Sequence, residues 1–382
     1  MAVKSKSKSA ARTGVFGGVY AGKKVFVTGH TGFKGAWLSE WLLSLGAKVT
    51  GFSLPPPTQP SLFEQLGLAA RLHHIVRDVR DAQALAAAVA MAQPDFIFHL
   101  AAQPLVRESY RTPVETYGTN VMGTIHLLEA ARQLQKPCAV VCVTTDKCYE
   151  NKEWVHGYRE EDPLGGYDPY SSSKAAAEIA IAAWRRSFFK GHPVKVASAR
   201  AGNVIGGGDW AADRIVPDCI RALQKRKAIP VRNKHATRPW QHVLEPLSGY
   251  LWLGTLLAKP AFGKYSADKL GSAFNFGPGH DANRTVADLV AQILKHWPGR
   301  WVDQSDAGAV HEASLLQLTT DKANALLGWA PVWSFADTIR ETVVWYVTAR
   351  KHAAGAAQHQ FTLMQIGEYC RAAQVKGLPW AR

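Results

Sequence analysis

Two short clusters of reactive side chains lie in the middle of the sequence. Residues 144–147, Thr-Thr-Asp-Lys, follow an apolar run at 139–143 that predicts a buried strand. Tyr170 and Lys174 are four residues apart at the start of a helical stretch, so they share one helix face. Such groups can transfer protons to a ligand, and the charge of Lys174 can lower the pKa of Tyr170. The structural alternatives are a capped turn for the first cluster and a solvated helix face for the second.

A glycine-rich turn near the N-terminus predicts where a dinucleotide binds. Residues 24–28 read as a buried strand and run directly into Gly29-His-Thr-Gly32-Phe-Lys-Gly35, after which apolar residues recur at helical spacing. The glycines let the backbone approach a pyrophosphate, whose charge is favoured at a helix N-terminus. A close-packed turn without a ligand is the alternative, but the strand–turn–helix context favours dinucleotide binding.

The next two strands indicate which dinucleotide binds. The strand at 48–52 is followed by Ser53 instead of an acid that would hold a ribose diol, and no arginine beside it favours a ribose phosphate. NAD is therefore expected in place of NADP. Asp78 ends a third strand, where it can reach an adenine or cap the alanine-rich helix at 81–92. The expected cofactor-binding residues are Gly29, Thr31, Gly32, Phe33, Lys34, Gly35, Ser53, Asp78, Val79, Leu100, Ala101, Ala102, Tyr170 and Lys174.

The alternation of strands and helices predicts the fold. It is typical of the α/β class, with a Rossmann-type, doubly wound parallel sheet and a smaller, interwoven C-terminal substrate domain. The predicted units are a basic, disordered tail (1–21), an NAD-binding domain (22–200, with part of 230–260 returning to it), a mainly substrate-binding domain (201–350) and a surface helix with a tail (351–382). The helices at 113–134 and 170–190 are widely apolar, which predicts a homodimer or homotetramer interface or burial within one chain.

Charge and cysteine content limit the function classes. The formal net charge is +15, and part of it lies in the first twelve residues, which favour a solvated tail over a nucleic-acid or lipid contact. The remaining excess fits an anionic substrate. A basic cluster at 232–238 predicts either a diphosphate contact or a solvated loop. Five cysteines without CxxC spacing indicate no disulfide framework and no metal site, and without a signal peptide or transmembrane run the cytoplasm is expected.

The order of these motifs resembles an extended short-chain dehydrogenase/reductase. Longer runs are similar to the CDP-glucose 4,6-dehydratases of that superfamily. These runs are residues 26–35, 99–107, 146–154, 165–170, 201–210 and 238–246. The similarity covers roughly residues 22–350 and leaves out the N-terminal tail.

The resemblance implies an NAD-dependent lyase acting on a nucleotide sugar. A hydride would leave sugar carbon 4 for NAD while Tyr170 takes the hydroxyl proton, water would be lost across carbons 5 and 6, and the hydride would return to carbon 6. Thr145 would bind the carbon 4 oxygen, and Lys174 would bind ribose and tune Tyr170. Asp146, with a raised pKa, would protonate the departing hydroxyl, and Lys147, with a lowered pKa, would remove the carbon 5 proton.

The resemblance also implies the substrate and the pathway. CDP-glucose is the expected substrate, and deoxysugar biosynthesis for lipopolysaccharide O-antigen is the expected pathway. The expected substrate-binding residues are Gln103, Asn203, Arg214, Arg238 and His242. A dehydratase for another nucleotide, a sugar-nucleotide 4-epimerase and a non-catalytic NAD-binding protein remain alternatives. The Asp146–Lys147 pair argues against the epimerase, and the presence of Tyr170 and Lys174 argues against the non-catalytic protein.

Overall fold

A computed structural model describes residues 14–305, 315–351 and 355–382. In chain order the strands are β1 (Lys24–Thr28), β2 (Lys48–Ser53), β3 (His73–Val76), β4 (Phe96–His99), β5 (Cys138–Val143), β6 (Val194–Arg200), β7 (Val204–Ile205), β8 (Ile229–Val231), β9 (Thr237–Pro239), β10 (Gln241–His242), β11 (Ala273–Asn275), β12 (Asn283–Thr285) and β13 (Trp301–Asp303). The α-helices are α1 (Phe33–Ser44), α2 (Leu62–Gln65), α3 (Ala82–Ala92), α4 (Val106–Arg111), α5 (Pro113–Tyr117), α6 (Gly123–Arg132), α7 (Pro169–Ser187), α8 (Ile215–Gln224), α9 (Leu244–Ala258), α10 (Ala267–Leu270), α11 (Val286–His296), α12 (Asp321–Leu327), α13 (Phe335–Lys351) and α14 (Ala356–Val375).

The central sheet is parallel and doubly wound, as the sequence predicts. Its strand order is β11-β6-β5-β4-β1-β2-β3, and every neighbouring pair is parallel. From β1 the chain builds β2 and β3 on one side and then returns to build β4, β5 and β6 on the other. The strand order therefore reverses between β1 and β4, and the carboxyl ends of these strands form the crevice where such sheets bind ligands.

Alternation within the buried strands explains why both faces of the sheet are covered. In β1, Val25 and Val27 face the core that contains α1 and α9, whereas Phe26 faces the core that contains α3, α6 and α7. The same division recurs in β5, where Val141 and Val140 belong to opposite cores. Near-continuous apolar strands are what a sheet buried on both faces requires.

The expected helix at 113–134 is interrupted. It consists of α5, a wide π-helical turn at Gly118–Met122, and α6. Asn120 lies in the wide turn and is buried, where its side chain accepts a hydrogen bond from the Gln103 backbone N–H and donates one to Ser173 Oγ at 2.9 Å. The irregular turn thus joins the loop after β4 to α7.

The prediction for both chain ends needs correction. Residues 1–13 lie outside the described residues, but residues 14–21 of the expected tail are ordered, with Phe16 and Tyr20 in the core. The C-terminal segment, expected on the surface, buries Tyr369 on α14 and Trp380 beyond it. Phe16 stacks on Trp380 with ring centroids 5.2 Å apart, so the two ends of the chain stabilise each other.

The expected boundary near residue 200 is not a clean division. β11 pairs with β6 and extends the central sheet, and α9 packs against β5 and β6. Residues 201–350 therefore contribute both to the sheet layers and to the loops above their carboxyl ends.

Candidate active site

A large cavity lies above the carboxyl ends of β1, β4, β5 and β6. Its volume is about 1800 Å³, and it is lined by the glycine turn, residues 144–147, the start of α7 and the loop from β6 to α8. All fourteen residues expected to bind the cofactor belong to its lining. So do Thr145, Asp146 and Lys147, so the structure brings the two reactive clusters and the glycine turn to one site.

The glycine turn fits a dinucleotide. Gly29 has φ of +73°, and a Cβ at Gly35 would lie 2.1 Å from the Gly29 carbonyl oxygen, so α1 can begin against the turn only because both residues are glycine. Gly32 is the N-cap of α1 and brings no side chain, which leaves the first backbone N–H groups of the helix able to bind an anion at the cavity wall. A pyrophosphate group is the ligand for which these features are suited, and NAD therefore fits the site.

Ser53 and Asp78 lie where the remainder of a dinucleotide would extend. Ser53 Oγ is hydrogen-bonded to Thr31 Oγ1 at 2.8 Å, which ties β2 to the glycine turn. Asp78 forms an ion pair with Arg80 at 2.6 Å. The alternative role of Asp78 as a helix cap is wrong, because Asp81 caps α3 by accepting a hydrogen bond from the Ala84 backbone N–H.

The acid of the first cluster is held tightly at the end of β5. Asp146 is buried, and its Oδ1 accepts a hydrogen bond from Thr145 Oγ1 at 2.9 Å. Lys147 Nζ lies 3.9 Å from the same carboxylate oxygen, and Asn203 Nδ2 donates to the other oxygen at 3.4 Å. A Cβ at Gly202 would lie 1.8 Å from Asp146 Oδ2, so the carboxylate occupies space that exists because residue 202 is glycine.

Tyr170 and Lys174 lie on the first turns of α7, which begins at Pro169 after an N-cap from Asp168. Burial raises the pKa of Tyr170 to about 12, and a hydrogen bond with Thr145 opposes this rise. The sequence predicted that the charge of Lys174 lowers the pKa of Tyr170. In the protein without ligands the pKa of Tyr170 is raised instead, so the predicted direction is wrong. Burial also lowers the pKa of Lys174 to about 8, with the charge of Glu178 opposing the shift.

Lys34 adds a third amine to the site, although its sequence position indicated only a contact with the cofactor. Burial, together with the charge of Arg214, lowers the pKa of Lys34 to about 7, while Asp146 opposes the shift. The side chain comes from the first turn of α1 and reaches the region of Asp146 and Lys174. The position of the Lys34 side chain depends on the direction in which α1 leaves the glycine turn. That direction cannot be predicted from residue spacing alone.

Two of the five expected substrate-binding residues do not face the cavity. The side chain of Gln103 bonds its own loop and α5: Oε1 accepts from the Leu105 backbone N–H at 2.6 Å, and Nε2 donates to Thr116 Oγ1 at 3.0 Å. His242 is fully buried, with its ring edge-on to Trp333 at 4.8 Å between centroids. Neither residue belongs to the described lining of the cavity.

The other three expected substrate-binding residues face the cavity. These are Asn203, Arg214 and Arg238. Arg214 is held by Asp209 at 3.0 Å and acts electrostatically on Tyr170, whose pKa it lowers. Their contact with a nucleotide sugar stays a prediction.

A buried ionic network around Glu178 supports the site on the side of the sheet core. No motif in the sequence indicated this network. Glu178 lies one turn after Lys174 on α7 and accepts hydrogen bonds from Ser198 Oγ at 2.8 Å and Arg200 Nη2 at 2.9 Å. It also accepts from Thr144 Oγ1. Because Ser198 and Arg200 belong to β6 and Thr144 directly follows β5, the network fixes α7 against the two strands that end at the cavity.

Residues 14–305, 315–351 and 355–382 contain no group of three or more His, Cys, Asp or Glu side chains arranged to hold a metal ion. None of the helices in these described ranges is both long enough and apolar enough to cross a bilayer.

Comparisons with known proteins agree with this geometry. The family model described as GDP-mannose 4,6 dehydratase matches residues 26–261. The chain is 48% identical over 334 residues to the CDP-glucose 4,6-dehydratase of Salmonella typhimurium, covering 86% of this chain and 91% of that one. It is 26% identical to dTDP-glucose 4,6-dehydratase 1 of Escherichia coli, covering 86% and 94% of the two chains.

A solved structure extends the likeness to three dimensions. DesIV, a dTDP-glucose 4,6-dehydratase from Streptomyces venezuelae solved with NAD bound, matches with a TM-score of 0.71 and 25% identity, over 86% of this chain and 98% of that one. The chain therefore belongs to the NAD-dependent nucleotide-sugar 4,6-dehydratases, a family of lyases within the extended short-chain dehydrogenase/reductases.

Proposed function

We propose that this protein is a CDP-glucose 4,6-dehydratase, converting CDP-D-glucose into CDP-4-keto-6-deoxy-D-glucose and water. The observation that carries the proposal is the convergence of the Asp146–Lys147 pair and the Tyr170–Lys174 pair on one cavity beside the glycine turn. The 48% identity to a CDP-glucose enzyme over most of both chains supports the choice of nucleotide.

Oxidation at carbon 4 needs a proton acceptor beside the sugar hydroxyl. When bound, NAD supplies the group that takes a hydride from carbon 4 and gives it back at carbon 6. Tyr170 takes the hydroxyl proton and Thr145 holds the carbon 4 oxygen. Because burial keeps Tyr170 protonated, its anion has to be stabilised by the Thr145 hydrogen bond and by the positive charge of Arg214, both of which lower its pKa.

Elimination of water needs an acid and a base that do not take part in the first step. Asp146 lies within hydrogen-bonding distance of Thr145, so the acid is adjacent to the group that holds the sugar. It protonates the departing carbon 6 hydroxyl, and Lys147 removes the carbon 5 proton. A 4-epimerase returns the hydride to carbon 4 without eliminating water, so its reaction does not require the Asp146–Lys147 acid–base pair.

NAD would be held by backbone and side chains at opposite ends of the site. The N–H groups at the start of α1 bind the pyrophosphate, Lys174 binds a ribose, and Ser53 and Asp78 lie toward the adenosine half. Ser53 offers one hydroxyl where an acid would offer two acceptor oxygens, so the ribose is held less firmly.

A substrate panel tests the proposal. Purified protein with added NAD is incubated with CDP-glucose, dTDP-glucose, UDP-glucose and GDP-mannose, and products are identified by loss of water in mass spectrometry. We expect efficient turnover of CDP-glucose alone. Efficient turnover of another nucleotide sugar would reassign the substrate, and turnover of none would overturn the dehydratase assignment.

The assembly proposed is a homodimer or homotetramer through α5, α6 and α7. Val114 on α5 and Ile179 on α7 are 79% and 58% exposed, which supports an apolar contact with a second copy. Ile179→Glu should shift the mass measured by light scattering to that of a smaller species, and an unchanged mass would exclude this face.

The proposed setting is the cytoplasm, in deoxysugar biosynthesis for lipopolysaccharide O-antigen. All five cysteines are buried and none of them forms a disulfide, which is compatible with a reducing compartment. Disruption of the gene in its host should remove the deoxysugar from the O-antigen, and an unchanged O-antigen would exclude this pathway.

A further inference from the structure

Three segments that are distant in sequence place an ionic cluster at the cavity wall. Asp213, in the loop between β7 and α8, pairs with Arg232 after β8, with Oδ1 2.7 Å from Arg232 Nη1. Arg107, at the start of α4, approaches the same oxygen at 3.7 Å. All three residues line the cavity.

The two arginines present the donor chemistry that binds phosphate groups. Planar guanidinium groups recognise phosphate and carboxylate oxygens with the same N–H donors. The Asp213 carboxylate therefore occupies guanidinium N–H donors of Arg107 and Arg232 that could otherwise bind the phosphates of a nucleoside diphosphate. Hydrogen bonding with Arg232 and the nearby positive charges hold the pKa of Asp213 below its ordinary value, so the carboxylate remains charged near neutral pH.

The geometry of the cluster allows this carboxylate to be exchanged. The Asp213 side chain is 47% exposed, and ion pairs with this degree of exposure are weak. Arg232 is also held by Asp218, whose Oδ2 lies 3.0 Å from Arg232 Nη2. The Asp218 contact uses a different nitrogen from the Asp213 contact, so it can hold Arg232 in place when Asp213 leaves.

We propose that Asp213 is an internal competitor of the substrate: its carboxylate occupies Arg107 and Arg232 until the diphosphate of the nucleotide sugar displaces it. This inference rests on the proposed function for the identity of the ligand. Asp213 weakens substrate binding and therefore raises the KM for the nucleotide sugar. Since the contact is lost in the bound substrate and in the transition state alike, its removal gives no gain in kcat.

The test compares Asp213→Asn with Asp268→Asn in the NAD-loaded protein. Asp268 is a matched control because it also forms an exposed ion pair, 2.7 Å from Lys195, but does not line the cavity. We expect the Kd for CDP, measured by calorimetry, and the KM for CDP-glucose to fall by about fivefold in Asp213→Asn. The same substitution should lower the Kd for CMP by less, since CMP carries fewer phosphate charges, and Asp268→Asn should change none of these values.

The outcomes separate this inference from the proposed function. An unchanged or raised Kd for CDP in Asp213→Asn would overturn the competitor role, whatever the turnover of CDP-glucose. A wild-type protein that binds CDP but does not turn over CDP-glucose would overturn the proposed function, while a fall in Kd for CDP in the variant would still support the inference. An equal effect in Asp268→Asn would assign the change to net charge and also overturn it.

Discussion

Replacement of Gly202 by alanine should separate elimination from oxidation. A Cβ at this position would lie 1.8 Å from Asp146 Oδ2, 2.0 Å from its Cγ and 2.4 Å from Oδ1. The three nearest atoms all belong to one short side chain, so the clash is relieved by movement of the carboxylate and the fold can be kept. Gly202 does not have the positive φ that alanine rarely adopts, so the backbone accepts the change.

The size of the effect follows from the distance that the carboxylate must move. To reach an ordinary contact of about 3.4 Å, Oδ2 has to shift by roughly 1.6 Å. The Thr145–Asp146 hydrogen bond of 2.9 Å and the Asn203 contact of 3.4 Å do not survive such a shift. A displacement of about 1 Å in a catalytic group can cost about 100-fold in rate, so kcat for the dehydrated product should fall by at least about that factor.

The assay follows the two half-reactions separately. With CDP-glucose and NAD, Gly202→Ala should accumulate reduced cofactor, seen in its near-ultraviolet absorbance, while mass spectrometry shows little loss of water. The control is Gly271→Ala, where a new Cβ would meet its nearest atoms at 3.4 Å, an ordinary contact far from the site. Full dehydratase activity in Gly202→Ala, or equal loss of oxidation and elimination in a folded protein, would refute the role given to Asp146.

Three further predictions concern the amines and the network below them. Lys147→Met should stop solvent deuterium from entering at carbon 5 without weakening NAD binding; if exchange persists there and stops in Lys34→Met, the base is Lys34. Because the pKa of Lys174 is about 8, its positive charge is present below that pH and is lost above it, so the Kd for NAD should rise between about pH 7 and 9 in the wild type and rise less in Lys174→Met, where only Lys34, whose pKa is about 7, still loses its charge. A flat wild-type profile would contradict this. Glu178→Gln leaves Arg200 buried without its counter-charge and should lower the free energy of unfolding in urea by roughly 3–5 kcal/mol, whereas a loss below about 1 kcal/mol would show that the network is not stabilising.

Local patterns predicted the sheet and most of the cavity wall. Apolar runs that end in polar residues identified β1 and β5, and the shared edge of a parallel sheet then placed their carboxyl ends together. The Gly29–Gly35 turn follows the same logic, since Gly35 is required by its close approach to the Gly29 carbonyl oxygen within the same turn. These features depend on residues close in sequence, which is why a single sequence contains enough information to predict them.

What the sequence did not predict depends on contacts between distant segments. Phe16 and Trp380 pack on each other from opposite ends of the chain, and neither end carries a periodic signal of its burial. Gln103 directly follows Ala101 and Ala102 at the cavity, yet its side chain is held by the Leu105 backbone N–H and by Thr116 on α5. The pKa of Tyr170 rises because the side chain is buried, and the spacing between Tyr170 and Lys174 contains no information about burial.

The central claim is that one cavity removes a hydride from carbon 4 and returns it to carbon 6 of the same sugar. The most direct measurement uses CDP-glucose carrying deuterium at carbon 4 and locates the label in the product by NMR. We predict that the deuterium appears at carbon 6 of CDP-4-keto-6-deoxy-glucose. Deuterium lost to solvent, or retained at carbon 4 of an epimerised sugar, would contradict this account.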